Sequence, residues 1–304
     1  MRVRIVRLGV HAARFLRRHP SATVAAVFER SLHVEACGDF LCLGGSGLGN
    51  GPLNAIVEAS ARGDWLAMAA PGAVVDVTGD VVRTGGVVID ASEATEWQPA
   101  AWPREVKAGE ASEGLGLVLD LVRRDAPVDG LARCALGLGV GGKSLSPLER
   151  VAAPHLVEFT DWLDGRIGPA SAAPHPTSAP CGLLGMGPGL TPSGDDLIGA
   201  ALVALHAVGR RDAALDLATA VGEQAPGRTT LLSGAFLRAA ADGQGSDVLH
   251  ETITAIIRGE RRSLPGLVRL LGGVGHTSGW DALAGAWLTL RAWATAPARR
   301  RFPE

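Results

Sequence analysis

The chain has 304 residues, 47% of them hydrophobic and 20% charged, enough for two domains with a sizeable core, which excludes a disordered polymer. Its 29 basic and 31 acidic residues leave a net charge of −2, with aromatics at 4% and no tyrosine, so neither an electrostatic nor a stacking footprint for nucleic acid is expected, nor one for an anionic membrane. The 41 glycines, against a usual share of about 7%, follow no period and gather in clusters that read as tight turns and ligand loops.

The chain opens with scattered arginines (Arg2, Arg4, Arg7, Arg14, Arg17, Arg18), which read as a solvated face and leave no room for a signal-peptide core. Ser31–Leu43 (SLHVEACGDFLCL) predicts two strands around a turn at Gly38-Asp39. Leu43–Asn54 is a glycine-rich turn that offers Asn50 and backbone amides to a ligand, or simply links two elements. Leu53–Arg62 has helical composition, with an apolar stripe at Leu53, Ile56 and Val57. Ala73–Asp90 holds β-branched clusters punctuated by Gly79-Asp80 and Gly85-Gly86, the pattern of a meander. Glu96–Lys107 reads as a connector. Beyond it, helical patterns cover 114–124, 147–163, 197–208, 212–221, 230–241, 247–258 and 280–293, broken by a Pro/Ala/Ser loop over 168–180. The expectation is an α+β protein, with a β-rich domain over 1–105 and a mostly helical domain over 106–304. Cys37, Cys42, Cys134 and Cys181 show no CxxC spacing and read as reduced thiols of a cytoplasmic protein without a membrane span.

The most informative segment is Leu184–Asp196 (LGMGPGLTPSGDD), which runs into the apolar helix that starts at Leu197. A buried helix must satisfy its first amides without bulk water. Gly185, Gly187 and Gly189 let several amides converge, Thr191 and Ser193 add hydroxyls, and Asp195 or Asp196 can cap the helix. Such a place can hold a small anion on amides and a helix dipole. One cap needs one carboxylate; the second is free to bind Mg²⁺, orient a substrate or move a proton. A glycine-rich turn with an ordinary N-cap explains the same residues without a ligand. Part of the pattern recurs in Gly272–Asp281 (GGVGHTSGWD), again before an apolar helix. Gly189, Thr191, Ser193, Gly194, Asp196 and Gly199 in the first copy answer to Gly275, Thr277, Ser278, Gly279, Asp281 and Gly285 in the second. Two such loops suggest one site built from paired helix starts.

His276, inside the second loop, is the histidine best placed to act; His206 reads as a core residue. Pro226–Gly234 (PGRTTLLSG) brings Arg228, Thr229, Thr230 and Ser233 to another helix start, where a carboxylate or phosphate fits. Gly137–Ser144 formally meets GxxxxGKS. However, the preceding Leu131–Leu136 is a poor strand and Pro147 follows, so a nucleotide loop is not expected there. Neither a GxSxG elbow nor a zinc pattern occurs.

Gly187–Asp196, Arg228–Gly234 and Gly275–Asp281, in this order, resemble the AllH subunit family of oxamate carbamoyltransferase. The match is clear over 180–290 and looser over 30–60, where Asn50-Gly51-Pro52 is the anchor. The resemblance implies a carbamoyltransferase assembly with further subunits, converting oxalurate and phosphate to oxamate and carbamoyl phosphate in allantoin and purine breakdown. It carries no catalytic residues over. The residues themselves suggest Asp195, Asp196 and His276 as catalytic candidates. Gly187, Gly189, Thr191, Ser193, Gly194, Arg228, Thr229, Gly275, Thr277, Ser278, Asp281 and Asn50 are the candidates to bind a small anion such as phosphate, oxamate or carbamoyl phosphate. Mg²⁺ is the one cofactor these residues suggest. The alternative is a non-catalytic anion-binding or scaffolding subunit that needs partner chains.

Overall fold

The computed structural model describes residues 2–58, 69–104, 108–138, 145–167 and 179–295. The chain divides into two compact units, Met1–Ala100 with Gln244–Asp247, and Ala101–Gly243 with Val248–Glu304. The expected division at 105/106 falls on residues 105–107, outside the described residues.

The first unit is built on strands β1 (Arg2–Gly9), β2 (Ser21–Val27), β3 (Ser31–Ala36), β4 (Asp39–Gly44), β5 (Asn54–Val57), β6 (Val74–Thr78), β7 (Val81–Thr84), β8 (Val87–Asp90) and β9 (Thr95–Trp97), with helix α1 (Val10–Arg18) between β1 and β2. They follow one another in the order β5-β4-β3-β2-β6-β7-β8-β1-β9, and β5 also pairs with β1. That pairing closes eight strands into a barrel, which removes the open edges a sheet would otherwise expose. The three hairpins turn where glycine allows positive φ, with Ala36 opposite Asp39, Thr78 opposite Val81 and Thr84 opposite Val87. Period-two alternation sets the inward faces: Val3 and Ile5 of β1, and Val75 and Val77 of β6, are buried between exposed neighbours. Phe15 and Leu16 of α1 join the same core.

One expectation is overturned here. Leu53–Arg62 does not begin as a helix: Asn54–Val57 is a strand, parallel to β4 and antiparallel to β1. The i, i+3, i+4 spacing of Leu53, Ile56 and Val57 fits a helix, but Ala55, Ile56 and Val57 are all buried. A strand covered on both sides carries consecutive apolar residues, and closing the barrel decides the matter. Residues 59–62 lie outside the described residues.

Gln244–Asp247 joins this unit through Asn50. The Asn50 backbone N–H and Nδ2 donate to Asp247 Oδ2 at 3.2 and 2.7 Å, and the Asp247 N–H donates back to the Asn50 carbonyl at 3.0 Å.

The second unit is helical: α2 (Ala108–Asp125), α3 (Ala132–Ala135), α4 (Pro147–Ile167), α5 (Ser193–Ala207), α6 (Arg211–Gln224), α7 (Leu231–Ala241), α8 (Asp247–Ile257), α9 (Leu264–Gly272) and α10 (Ser278–Thr295). The seven expected helices are present, and α9 and the short α3 add to them. α4 starts at Pro147 because Ser146 and Glu149 form a capping box: the Ser146 N–H donates to Glu149 Oε2 at 2.7 Å, and the Glu149 N–H to Ser146 Oγ at 3.1 Å. Of the GxxxxGKS match upstream, residues 139–144 lie outside the described residues, as does most of the 168–180 loop. α5 is apolar all round and buried along its length, with α10 packed along it. The helices meet closely because Gly285 lies against the Leu197 carbonyl; a Cβ there would fall 1.9 Å from that oxygen. The four cysteines are free. Among the described residues no helix is long and apolar enough to cross a membrane.

Candidate functional site

The two Gly-x-Thr…Ser-Gly segments become the first turns of α5 and α10, and they are built alike. In each, the middle glycine of the helix start sits on a carbonyl of the preceding segment. A Cβ on Gly194 would fall 1.9 Å from the Leu183 oxygen, and one on Gly279 would fall 1.7 Å from the Leu271 oxygen. Each of these glycines gives its N–H to its own loop, Gly194 to Met186 and Gly279 to Val274. Gly187 and Gly275, both at positive φ, lie against Ser193 and Ser278 respectively. The sequence repeat is therefore a structural repeat.

The two copies then bond crosswise. Thr191 Oγ1 lies 3.1 Å from Ser278 Oγ, and Ser193 Oγ lies 3.5 Å from Thr277 Oγ1. The carboxylates follow the same exchange. Asp196 is served by the hydroxyls of its own Thr191 and of Ser278, and Asp281 by those of its own Thr277 and of Ser193. Each carboxylate also keeps one buried oxygen, Oδ2, without a hydrogen-bond partner.

Burial moves both carboxyls off their usual range. Asp196 is held well above it, chiefly by desolvation, with the charges of Asp281 and Asp195 acting in the same direction and the two hydroxyls opposing. The Asp281 carboxyl, fully buried, is pushed up to about 6 by desolvation. The N–H groups of Leu131 and Ala132, which donate to Asp281 Oδ1 at 2.7 and 2.9 Å, pull the other way. A carboxyl raised as far as that of Asp281 can take and give protons near neutral pH.

Asp195 has a different environment. Its Oδ1 accepts the Gly185 N–H at 2.6 Å, and its Oδ2 accepts the hydroxyls of Thr229 and, at 2.6 Å, Ser233. It ties the first loop to the start of α7 and has the partners of a structural carboxylate. Thr229 is thereby engaged from the Asp195 side.

The remaining candidates take no part in these hydrogen bonds. The His276 side chain is 79% exposed and its Nε2 lies 3.2 Å from Asp129 Oδ2. Arg228 is exposed and donates to Gln224 Oε1 at 2.7 Å. Gly189 belongs to the exposed tip of the first loop. Asn50 belongs to the first unit, bonded to Asp247. Among the described residues no group of three His, Cys, Asp or Glu comes together as a metal site, so the Mg²⁺ reading has Asp196 and Asp281 as its only carboxylates here.

Two contributors escape sequence reasoning. Leu131 and Ala132 act through backbone amides, which leave no side-chain signature; the Asp129-Gly130 pair is the only hint of the turn that presents them. Gly130, at φ +80°, packs against the Asp281 carboxylate. Ser233 is visible only as one hydroxyl among several at a helix start.

Apart from Gly130 and the Leu131 and Ala132 amides, this site falls inside one recognisable stretch. Residues 183–290 match the family model of the oxamate carbamoyltransferase subunit AllH. The stretch spans both helix starts, the crosswise hydroxyls, all three aspartates and the Pro226–Gly234 segment. No solved structure matches the chain.

Proposed function

We propose that this chain is a subunit of a carbamoyltransferase of the oxamate carbamoyltransferase type, and that its share of the reaction lies between the first turns of α5 and α10. One observation carries the reading: within the AllH-like stretch, two repeated helix starts exchange hydroxyls around a pair of buried carboxyls. The Gly194 and Gly279 amides are turned to carbonyls of their own loops and the Gly185 amide to Asp195, so the helix dipole is not the main holder of a ligand. The hydroxyls of Thr191, Ser193, Thr277 and Ser278 take that part, since each can donate as well as accept. Three carboxylates would repel oxalurate or phosphate if all were charged. Burial resolves this, because Asp196 held as the neutral acid donates a hydrogen bond to an anion instead of repelling it. Bound, it can pass its proton to the leaving oxamate nitrogen in the direction of carbamoyl phosphate formation, and recover it in reverse. Asp195 positions the loop. Arg228 and His276, both facing solvent, are contacts for the substrate or for a partner subunit.

The closed hydroxyl pairing also supports the second reading, a scaffolding subunit whose helix starts are clasped together while partner chains supply the chemistry. The test is reconstitution of the chain with its partner subunits, following carbamoyl phosphate formed from oxalurate and phosphate. Turnover is expected with partners present and not with partners alone. Activity from the partners alone, at the rate of the full assembly, would overturn the enzymatic reading.

A further inference from the structure

A second place in the helical unit is shaped for a ligand, and it owes nothing to the hydroxyl pair. Between α6 and α7 lies a cavity of about 230 Å³. Its walls are apolar, including Val221, Leu237 and Ala241; among its lining residues Arg238 carries the only charge, and Thr229 and Thr230 supply hydroxyls. The arginine does not simply extend from its helix. Its Nη1 lies 3.6 Å from where a Cβ of Gly234 would be, so the guanidinium folds back over the helix one turn toward the cavity.

The two facing helices each place a glycine in the wall, Gly222 in α6 and Gly234 in α7. Glycine within a helix is destabilising by up to about 1 kcal/mol relative to alanine, so it usually answers to close packing. Neither position has that cause. A Cβ on Gly222 meets nothing within 4 Å, and one on Gly234 meets only the far end of Arg238. What the missing side chains leave is space.

We propose that this cavity binds a small monocarboxylate with a compact apolar body, its carboxylate on the Arg238 guanidinium and its carbons against Val221 and Leu237. At roughly 30 Å³ for each water-sized portion, the volume admits about seven or eight non-hydrogen atoms. A guanidinium pairs well with a planar carboxylate, and apolar walls reward a branched aliphatic body. The proposal stands whether or not the chain is a carbamoyltransferase subunit.

3-Methylbutanoate, with seven non-hydrogen atoms, is the probe, titrated calorimetrically into the full chain beside its neutral isostere 3-methylbutanamide. Saturable binding of the acid is expected, at least tenfold tighter than the amide. Gly222→Leu adds a side chain at a position with open space on a helix, so it should fold with an unchanged or higher Tm and weaken the acid at least tenfold. Arg238→Gln should lower affinity for the acid to that of the amide. Absence of saturable binding at tens of millimolar would overturn the proposal. So would equal affinity for acid and amide, or binding that survives both substitutions. Asp196→Asn should leave this binding unchanged, which separates it from the site above.

Discussion

Alanine at Asp195 is expected to destabilise the helical unit by about 3–5 kcal/mol, while asparagine at the adjacent Asp196 leaves Tm unchanged or raised and removes turnover. The physical difference lies in partners. Asp195 is 2% exposed and accepts three donors, so its removal strands the Gly185 N–H and the Thr229 and Ser233 hydroxyls in a buried place. Each stranded buried donor costs about 1–3 kcal/mol. For a chain of this size that lowers Tm by about 10 °C. Asp196 already has one oxygen unpaired, and burial holds its carboxyl well above the usual range, toward the neutral acid. Asparagine preserves its shape and neutrality and removes only the transferable proton. The expected loss in kcat/KM of the reconstituted assembly is about 10²–10⁴-fold, the range of general acid–base catalysis. Thermal melts and turnover on both variants decide the assignment. If Asp196→Asn keeps full activity, the crosswise cluster is a clasp and not a catalytic site.

The sequence patterns reach the helices almost completely, because in α5 and α10 an all-apolar helix behind a Ser-Gly start admits no other reading. They reach less of the barrel. In β1 the arginines at 2 and 4 alternate with buried Val3 and Ile5, a strand signal that a charge-based reading of the first residues passes over. In β5 a helical spacing yields to barrel closure, a tertiary demand that no local window contains. At the site, the repeat is legible as repeated letters. The exchange of partners between its copies is not, since Thr191 and Ser278 are 87 residues apart. Nor does sequence separate the two adjacent aspartates. One residue of helical rotation sends Asp195 toward Gly185 and Ser233, and Asp196 toward the second loop. Their different partners then give them different roles.

The pH dependence of stability offers the second large effect, through Asp281. An unfolded aspartate titrates near 3.9, and the folded carboxyl is pushed up to about 6. Between these values the folded state holds the proton more tightly than the unfolded chain does. This group's contribution is therefore greatest below about pH 4, falls as pH rises toward 6, and is constant above. A difference of about two units corresponds to no more than about 3 kcal/mol. Asp196 adds a decline of the same sign, since its carboxyl is raised too. In Asp281→Asn the amide oxygen still accepts the Leu131 and Ala132 N–H groups, and the amide nitrogen has the Ser193 and Thr277 hydroxyls as acceptors. The substitution also removes a negative charge that raises Asp196, so it acts on both groups together. Urea unfolding between pH 4 and 8 should show the variant losing less stability than wild type across the acidic part of that range. Its advantage should appear as pH rises toward 6 and persist at pH 8, at about 1–3 kcal/mol. Taking the difference between the two proteins cancels carboxylates elsewhere, such as Asp90, whose depressed value tilts stability the other way. Parallel curves for variant and wild type would mean that Asp281 is ionised in the folded protein throughout. Asp281 would then be a charge held by amides and hydroxyls, and Asp196, raised further by that charge, would be left as the neutral-acid donor of the pair.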